Sequence, residues 1–210
     1  MSAEYVTIAD AVDTEIEISR SRFLTRLERV ADESAAREAI ARARAHHPRA
    51  RHHCTAFVIG PDGRIQRSND DGEPSGTAGA PMLDALTSAG LSDVVAIVTR
   101  YFGGVLLGAG GLTRAYRAAV AGAVAEARLV RRAPRREIEI ELAYDVAATL
   151  ESECRRRGYA VGEATYTDVV VQRFAVPESE VDVLNALVGE VSAGSARVRT
   201  GDVNYVDLAV

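Results

Sequence analysis

Two hydrophobic patterns in the middle of the chain predict a buried strand followed by an amphipathic helix. Residues 94–99 (VVAIVT) show no alternation of apolar and polar positions, which is typical of a strand covered on both faces of its sheet. After a glycine-rich stretch, apolar residues recur every three or four positions to about residue 128, which predicts a helix with one buried stripe. The stripe consists of Leu112, Ala115, Tyr116, Ala119, Val120, Ala123, Val124 and Ala127.

Shorter patterns predict the elements that precede this pair. Asp32 or Ser34 is suited to cap a helix that Pro48 would stop. The sequence GPDG at 60–63 is typical of a hairpin turn, so the segments before and after it should pair. The predicted elements are two strands within 15–30, a helix over about 33–47, a hairpin of 54–59 with 64–68, and a short helix over about 80–88.

The last third of the chain has the pattern of a second, smaller domain. The run EIEIELA at 137–143 alternates strictly, so its apolar side chains and its glutamates lie on opposite faces of a strand. The following patterns predict helix, strand, strand, helix and strand, which is the order of a ferredoxin-like βαββαβ domain. The first strand of that fold is central, so its glutamates should meet arginines of neighbouring strands. The residues concerned are Glu137, Glu139, Glu141, Arg173, Arg197 and Arg199.

A charged stretch that contains a proline, RLVRRAPRR at 128–136, interrupts the helical pattern and predicts the domain boundary. We therefore expect an N-terminal domain over 1–132 and a C-terminal domain over 133–210. The acidic central strand of the second domain argues against RNA recognition by aromatic residues on that sheet. The expected fold class is α+β.

Charge is distributed unevenly along the chain. The net charge is −5, and all 25 basic residues are arginines. The first 132 residues hold 17 arginines and 16 acids, whereas the remainder holds 8 arginines and 14 acids. Three segments, 39–61, 94–125 and 127–136, contain arginines and no acid. Local cationic surfaces for a polyanion are therefore expected in the first domain despite the negative total.

The cysteines and the hydropathy exclude several classes of protein. Cys54 and Cys154 lie far apart without a CxxC partner, which argues against a disulfide framework and a thiolate metal site. Cys154 falls on the apolar face of its predicted helix, so we expect a core side chain. No apolar run approaches the roughly 20 residues that span a membrane, and the amino terminus lacks a signal-peptide pattern. We expect a cytoplasmic protein with no membrane partner.

The glycine-rich stretch RYFGGVLLGAGGLTRAYR at 100–117 predicts an anion-binding corner. It lacks the lysine of a Walker A loop and the third glycine of a dinucleotide fingerprint. A helix amino terminus that follows a strand still offers unpaired N–H groups to an anion, and nearby arginines would add charge. Alternatively, the glycines serve only close backbone packing. The candidate anion- or nucleic-acid-binding residues are Arg51, Arg100, Tyr101, Gly103, Gly104, Gly108, Gly110, Gly111, Arg114 and Arg117.

A second polar stretch, SNDDGEPSGTAGAPM at 68–82, has the composition of a functional loop. It lacks the ligand spacing of a calcium loop. Adjacent histidines on a strand face opposite ways, so at most one could join an acid of this loop in a common site. A hydrogen-bonded structural loop is the alternative, and no metal is expected. The candidate residues are His52, His53, Asp70, Asp71, Glu73 and Thr77.

Three blocks of this sequence resemble the signature of the IMPACT/YigZ family. They are RARHHCTAFVIG at 49–60, SNDDGEPSGTAGAPML at 68–83 and VVAIVTRYFGGVLLGAGGLTRAY at 94–116. The resemblance implies an N-terminal ribosomal-protein-like domain with a left-handed βαβ unit, similar to domain IV of elongation factor G. It also implies a ferredoxin-like C-terminal domain similar to the last domain of that factor. Phe102 stands where the family often has tyrosine, and arginine replaces lysine throughout.

These observations predict a non-enzymatic RNA- or ribosome-binding protein associated with translation or its regulation. The expected partners are RNA or the ribosome and translation-related proteins, and no cofactor is expected. The alternative is an enzyme or a binder of a phosphate ester or metal, with its site between the Asp70–Thr77 loop and the Gly103–Gly111 corner. A protein adaptor that uses the acidic second domain is a third possibility.

Overall fold

The computed structural model of the protein describes residues 4–209. The chain divides into two compact units, of which the first ends at Arg131 and the second spans Arg132–Leu208. Both units combine helices with antiparallel strands, which confirms the predicted α+β class. Within the described residues, no helix is both long enough and apolar enough to cross a membrane.

The first unit is built on an antiparallel sheet of five strands in the order β2-β3-β6-β4-β5. Because β3 and β4 are each antiparallel to β6, they run parallel to each other on its two sides. The helix α1 connects them. The elements are β1 (Tyr5–Ile8), β2 (Val12–Ile18), β3 (Ser21–Arg29), α1 (Glu33–His46), β4 (His52–Ile59), β5 (Ile65–Asn69), α2 (Gly79–Ser88), β6 (Val94–Tyr101) and α3 (Gly108–Glu126).

Helices cover both faces of this sheet, and the central strand β6 shows the consequence in its sequence. Val95 and Ile97 belong to the cluster that includes the alanines of α1. Ala96 and Val98, on the other face, belong to the cluster formed with α2 and α3. A strand buried on both faces needs apolar residues at every position, so the predicted buried strand is confirmed. The cap of α1 is Asp32, whose carboxylate accepts the N–H of Ala35 over 2.8 Å.

The second unit has the strand order of a ferredoxin-like domain. Its elements are β7 (Leu129–Leu142), α4 (Tyr144–Arg156), β8 (Ala160–Tyr166), β9 (Val170–Val176), a 3₁₀ turn (Glu178–Glu180), α5 (Val181–Val191) and β10 (Arg197–Ala209). The strands β7, β9 and β8 are consecutive neighbours, and β10 pairs with β7 on its other side. The predicted central position of β7 is confirmed.

The alternation in β7 matches the prediction from EIEIELA. Ile138, Ile140 and Leu142 are buried, and the glutamates between them form ion pairs across the sheet. Glu139 lies 3.2 Å from Arg173. The pairs Glu139–Arg199 and Glu141–Arg197 are longer, at 3.8 and 3.6 Å.

The charged stretch at 128–136 follows the end of α3 at Glu126, as expected, but it forms the start of β7, so this strand begins at Leu129 and not at residue 137. Val130 and Ala133 are buried while Arg131 is exposed, and this partial alternation favours a strand despite Pro134. Asp145 lies in the first turn of α4, whose cap residue is Ala143.

Candidate nucleic-acid interface

The polar loop before α2 is tied down by the carboxylate of Asp70. Its two oxygens accept the N–H groups of Gly76 (2.8 Å), Ala78 (3.0 Å) and Gly79 (2.8 Å). Burial opposes ionisation of Asp70, but these three donors outweigh it and lower the pKa of the carboxyl group. The Asp70 carboxylate therefore binds N–H groups at the amino terminus of α2 and has a structural role.

Asp71 joins the loop to the beginning of β4 and to α1. One oxygen accepts the N–H of His53 and the other accepts Arg44 Nη2, both over 2.6 Å. The main-chain oxygen of Asp71 lies 2.9 Å from Nδ1 of His52. Burial and the nearby Arg44 lower the pKa of His53, so its imidazole is neutral at neutral pH.

The candidate residues around this loop do not form a recognisable metal or thiolate site. Among the described residues, no group of three or more His, Cys, Asp or Glu side chains is arranged to hold a metal ion. The thiol of Cys54 donates to the main-chain oxygen of Asp70 over 3.0 Å, and burial raises its pKa to about 12. Cys154 is fully buried, which agrees with the expected core role, and burial raises its pKa to about 11. The hydroxyl of Thr77 donates to the carbonyl of Pro74 over 2.6 Å.

Glu73 and Arg100 form a buried ion pair that connects the polar loop to β6. Arg100 Nη1 donates to Glu73 Oε1 over 2.7 Å, and the side chains are 6% and 4% exposed. The hydroxyl of Tyr116 on α3 donates to the same oxygen over 2.7 Å. Nη2 of Arg100 donates to Ser21 Oγ over 3.3 Å. These side chains fill the junction where the alternative hypothesis places an enzyme site.

The arginines predicted to share an exposed cationic surface therefore differ from one another. The expectation that Arg100 lies on that surface is wrong, because a glutamate 27 positions earlier pairs with it in the interior. Arg117 is exposed but forms an ion pair with Asp84. Arg114 is exposed and has no ion-pair partner within the described residues, as expected for a side chain that could meet a phosphate.

The ends of five elements meet where β6 finishes. Arg22, the second residue of β3, lies opposite Tyr101 of β6, and His52, the first residue of β4, lies opposite Arg100. The ring of His47, which follows α1, is 3.0 Å from the hydroxyl of Tyr101. The helix α3 begins shortly after Tyr101. We call this region, formed by residues 19–22, 47–52 and 100–114, the Tyr101 end.

Glycine is required at one position of the Tyr101 end. A Cβ atom on Gly103 would collide with the main-chain carbonyl of Arg20 and would lie 2.5 Å from the nitrogen of Ser21. The N–H of Gly103 donates to Ser21 Oγ over 3.2 Å. Gly104 and Gly108 have positive φ angles of 86° and 66°. The packing role proposed for the glycines is thus present, and among the described residues the cap position of α3, Leu107, makes no side-chain capping bond.

Arginines without a carboxylate partner concentrate at the Tyr101 end. Within residues 4–131, five arginines form no ion pair, and all five are exposed. Four of them lie at this end, namely Arg20, Arg49, Arg51 and Arg114, whereas Arg67 lies in β5. The exposed arginines that the structure pairs with acids include Arg37, Arg64, Arg117 and Arg128. Sequence analysis missed Arg20, although its position in a polar bend was a usable signal.

Two depressions lie on the first unit. A groove of about 460 Å³ at the Tyr101 end is lined by Ser19, Leu106, Leu107, Gly111 and Arg114 together with Ile18, Ala115 and Ala118. A cleft of about 580 Å³ lies beside α1, with Leu24, Arg26, Arg42 and His46 among its lining residues. The cleft contains none of the candidate residues predicted from sequence.

Comparisons with known proteins give consistent results for the two units. Residues 19–124 match the Impact N-terminal domain, and residues 140–195 match DUF1949, a domain of unknown function. The chain is 39% identical to the IMPACT family member YvyE of Bacillus subtilis over all of this chain and 97% of that protein. It is 38% identical to the IMPACT family member YigZ of Escherichia coli, covering 87% of this chain and 90% of that protein. A crystal structure titled as that of an hypothetical protein has a TM-score of 0.65 and 34% identity, covering 96% of this chain and 99% of the other.

Proposed function

Since the chain belongs to the IMPACT family, we propose that it is a non-enzymatic RNA- or ribosome-binding protein associated with translation, and that it contacts phosphates through the Tyr101 end. The observation that carries the proposal is the concentration of unpaired, exposed arginines there. The proposed phosphate contacts are Arg20, Arg49, Arg51 and Arg114.

The charges around these arginines support a polyanion as the partner. The acids of the adjoining loop are already engaged, Asp71 by Arg44 and Glu73 by Arg100. An incoming phosphate would therefore meet cations whose charge is not cancelled. Exposed arginines also gain more from a phosphate than arginines that must first leave a carboxylate.

The enzyme alternative has less support in the geometry. Asp70 and Asp71 are held by main-chain donors, and Glu73 is held by Arg100 and Tyr116. A general acid or base must reach a substrate, whereas these three carboxylates face groups of the protein itself.

The proposal is tested by the salt dependence of RNA binding. Wild type and a variant with Arg20, Arg49, Arg51 and Arg114 changed to Gln would be titrated with a structured RNA at several salt concentrations. Each lost phosphate contact should reduce the slope of log affinity against log salt by roughly 0.7 to 0.9. The matched control changes Arg37, Arg64, Arg117 and Arg128 to Gln, which removes the same formal charge from arginines that pair with acids. Equal slopes for the two quadruple variants would contradict the assignment of the Tyr101 end.

A further inference from the structure

We propose that the RNA bound at the Tyr101 end is single-stranded and that one unpaired base stacks on Phe102. The inference rests on the proposed function and specifies its ligand. It starts from an aromatic side chain that the fold leaves half exposed, at 50%. An aromatic ring beside arginines is the combination with which proteins bind single strands, because bases stack on the ring while cations meet the backbone.

One face of the Phe102 ring lies against the guanidinium of the buried ion pair. The guanidinium of Arg100 lies over this ring, 5.6 Å from its centroid, and is 5.4 Å from the centroid of the Phe23 ring. Glu73 and Ser21 fix the guanidinium through hydrogen bonds. A ring whose support is fixed loses little conformational entropy when a base stacks on it. Arg100 is thus a positioning residue for Phe102.

The strand register places arginines on both sides of Phe102. Arg51 immediately precedes β4, whose first residue, His52, is the partner of Arg100. Arg20 immediately precedes β3, and its main-chain carbonyl closely approaches Gly103. Neighbouring strands lie about 4.8 Å apart, so both arginines are within reach of a backbone that passes the ring.

Two further exposed apolar residues follow Phe102. Val105 and Leu106 are 41% and 87% exposed, and Leu106 lines the groove beside Arg114. An exposed apolar patch marks an interaction surface. A protein partner would also cover such a patch, but four unpaired arginines around it complement a polyanion. Apolar side chains beside the ring offer contact to a second base or a ribose.

The test compares a fluorescently labelled single-stranded RNA of about 12 nucleotides, without self-complementarity, with the duplex that it forms with its complement. Fluorescence anisotropy at one salt concentration gives both affinities. We expect the single strand to bind about tenfold more tightly than the duplex, and Phe102→Leu to remove about that factor for the single strand alone. Phe102→Tyr keeps a stacking ring and should retain the affinity. Tyr166→Leu, which removes a 64% exposed aromatic residue of the second unit, is the matched control and should change neither affinity.

Fluorescence quenching by stacking distinguishes a loss of base recognition from a loss of the folded structure. A single 2-aminopurine in the RNA should lose fluorescence on binding wild type and Phe102→Tyr, because stacking quenches it. The single-strand inference is overturned if wild type binds both RNAs with equal affinity and does not quench the 2-aminopurine. The proposed function is then still supported if the arginine variants change the salt dependence of binding. If wild type binds neither RNA, both proposals are overturned. This is the result expected if the partner of the apolar patch is a protein.

Discussion

Loss of the Glu73 carboxylate should destabilise the first unit more than the loss of any solvent-exposed ion pair. In Glu73→Leu, the guanidinium of Arg100 stays buried beside two aromatic rings and loses its counter-charge. The hydroxyl of Tyr116 loses its acceptor in the same substitution. Both losses occur away from water, so solvent cannot replace the missing partner.

The magnitude follows from this burial. Breaking a buried pair by removing one partner costs about 3–5 kcal/mol, and the orphaned Tyr116 hydroxyl adds about 1 kcal/mol or more. That is a large share of the roughly 5–15 kcal/mol by which a domain is stable. By contrast, Asp62→Asn breaks the pair with Arg64, whose side chains are 48% and 85% exposed, and should cost less than about 1 kcal/mol.

The double variant Glu73→Leu, Arg100→Met provides the decisive comparison. Because it removes both charges and leaves apolar groups, its free energy of unfolding should recover most of the loss caused by Glu73→Leu alone. Urea-dependent hydrogen exchange of peptides from β6 and α3 reports the first unit separately from the second. A cost below about 1 kcal/mol for Glu73→Leu, or no recovery in the double variant, would refute the assignment of a buried, mutually dependent pair.

Two further predictions concern backbone packing and pH. Gly103→Ala should destabilise the first unit by about 1–3 kcal/mol or more, because its Cβ meets the main chain of Arg20 and Ser21. Gly122→Ala, in the last part of α3 where a Cβ would meet nothing within 4 Å, should stabilise it by up to about 1 kcal/mol. Thermal unfolding of both variants checks this, and a harmless Gly103→Ala would contradict the observed close approach. Burial lowers the pKa of His53 from 6.5, so the unfolded chain binds more protons, and stability should fall as the pH drops below about 6.5. His53→Gln should flatten that decline in urea titrations across the range, and an unchanged pH dependence would exclude His53 as its source.

The parts of the fold that could be predicted from sequence are those decided by local patterns. Residues 94–99 lack alternation because helices cover both faces of β6, and residues 137–142 alternate because one face of β7 is buried. The charges and Pro134 placed the predicted start of the strand at residue 137, whereas β7 begins at Leu129. A proline removes one N–H group, and this cost is small enough for the buried Val130 and Ala133 to keep the chain extended.

The site was less predictable because charges separated along the chain meet in space. Residues 94–125 contain no acid, which favoured a cationic surface. Folding brings Glu73 to Arg100 and Asp84 to Arg117, so two of the three arginines in this segment are neutralised. Nothing in the local pattern indicates such pairing, since the partners lie 27 and 33 positions away.

A chain with a net charge of −5 can still have a cationic end if the nearby acidic side chains bind other groups of the protein. In the polar loop, Asp70 caps α2, Asp71 binds Arg44, and Glu73 binds Arg100. None of the three carboxylates pairs with Arg20, Arg49, Arg51 or Arg114 among the described residues. These four arginines of the Tyr101 end therefore have no carboxylate partner in the described part of the chain, and the guanidinium that pairs with Glu73 also lies over the ring of Phe102. On the proposed stacking, stability and recognition would depend on one set of contacts, so variants of Glu73 should weaken both.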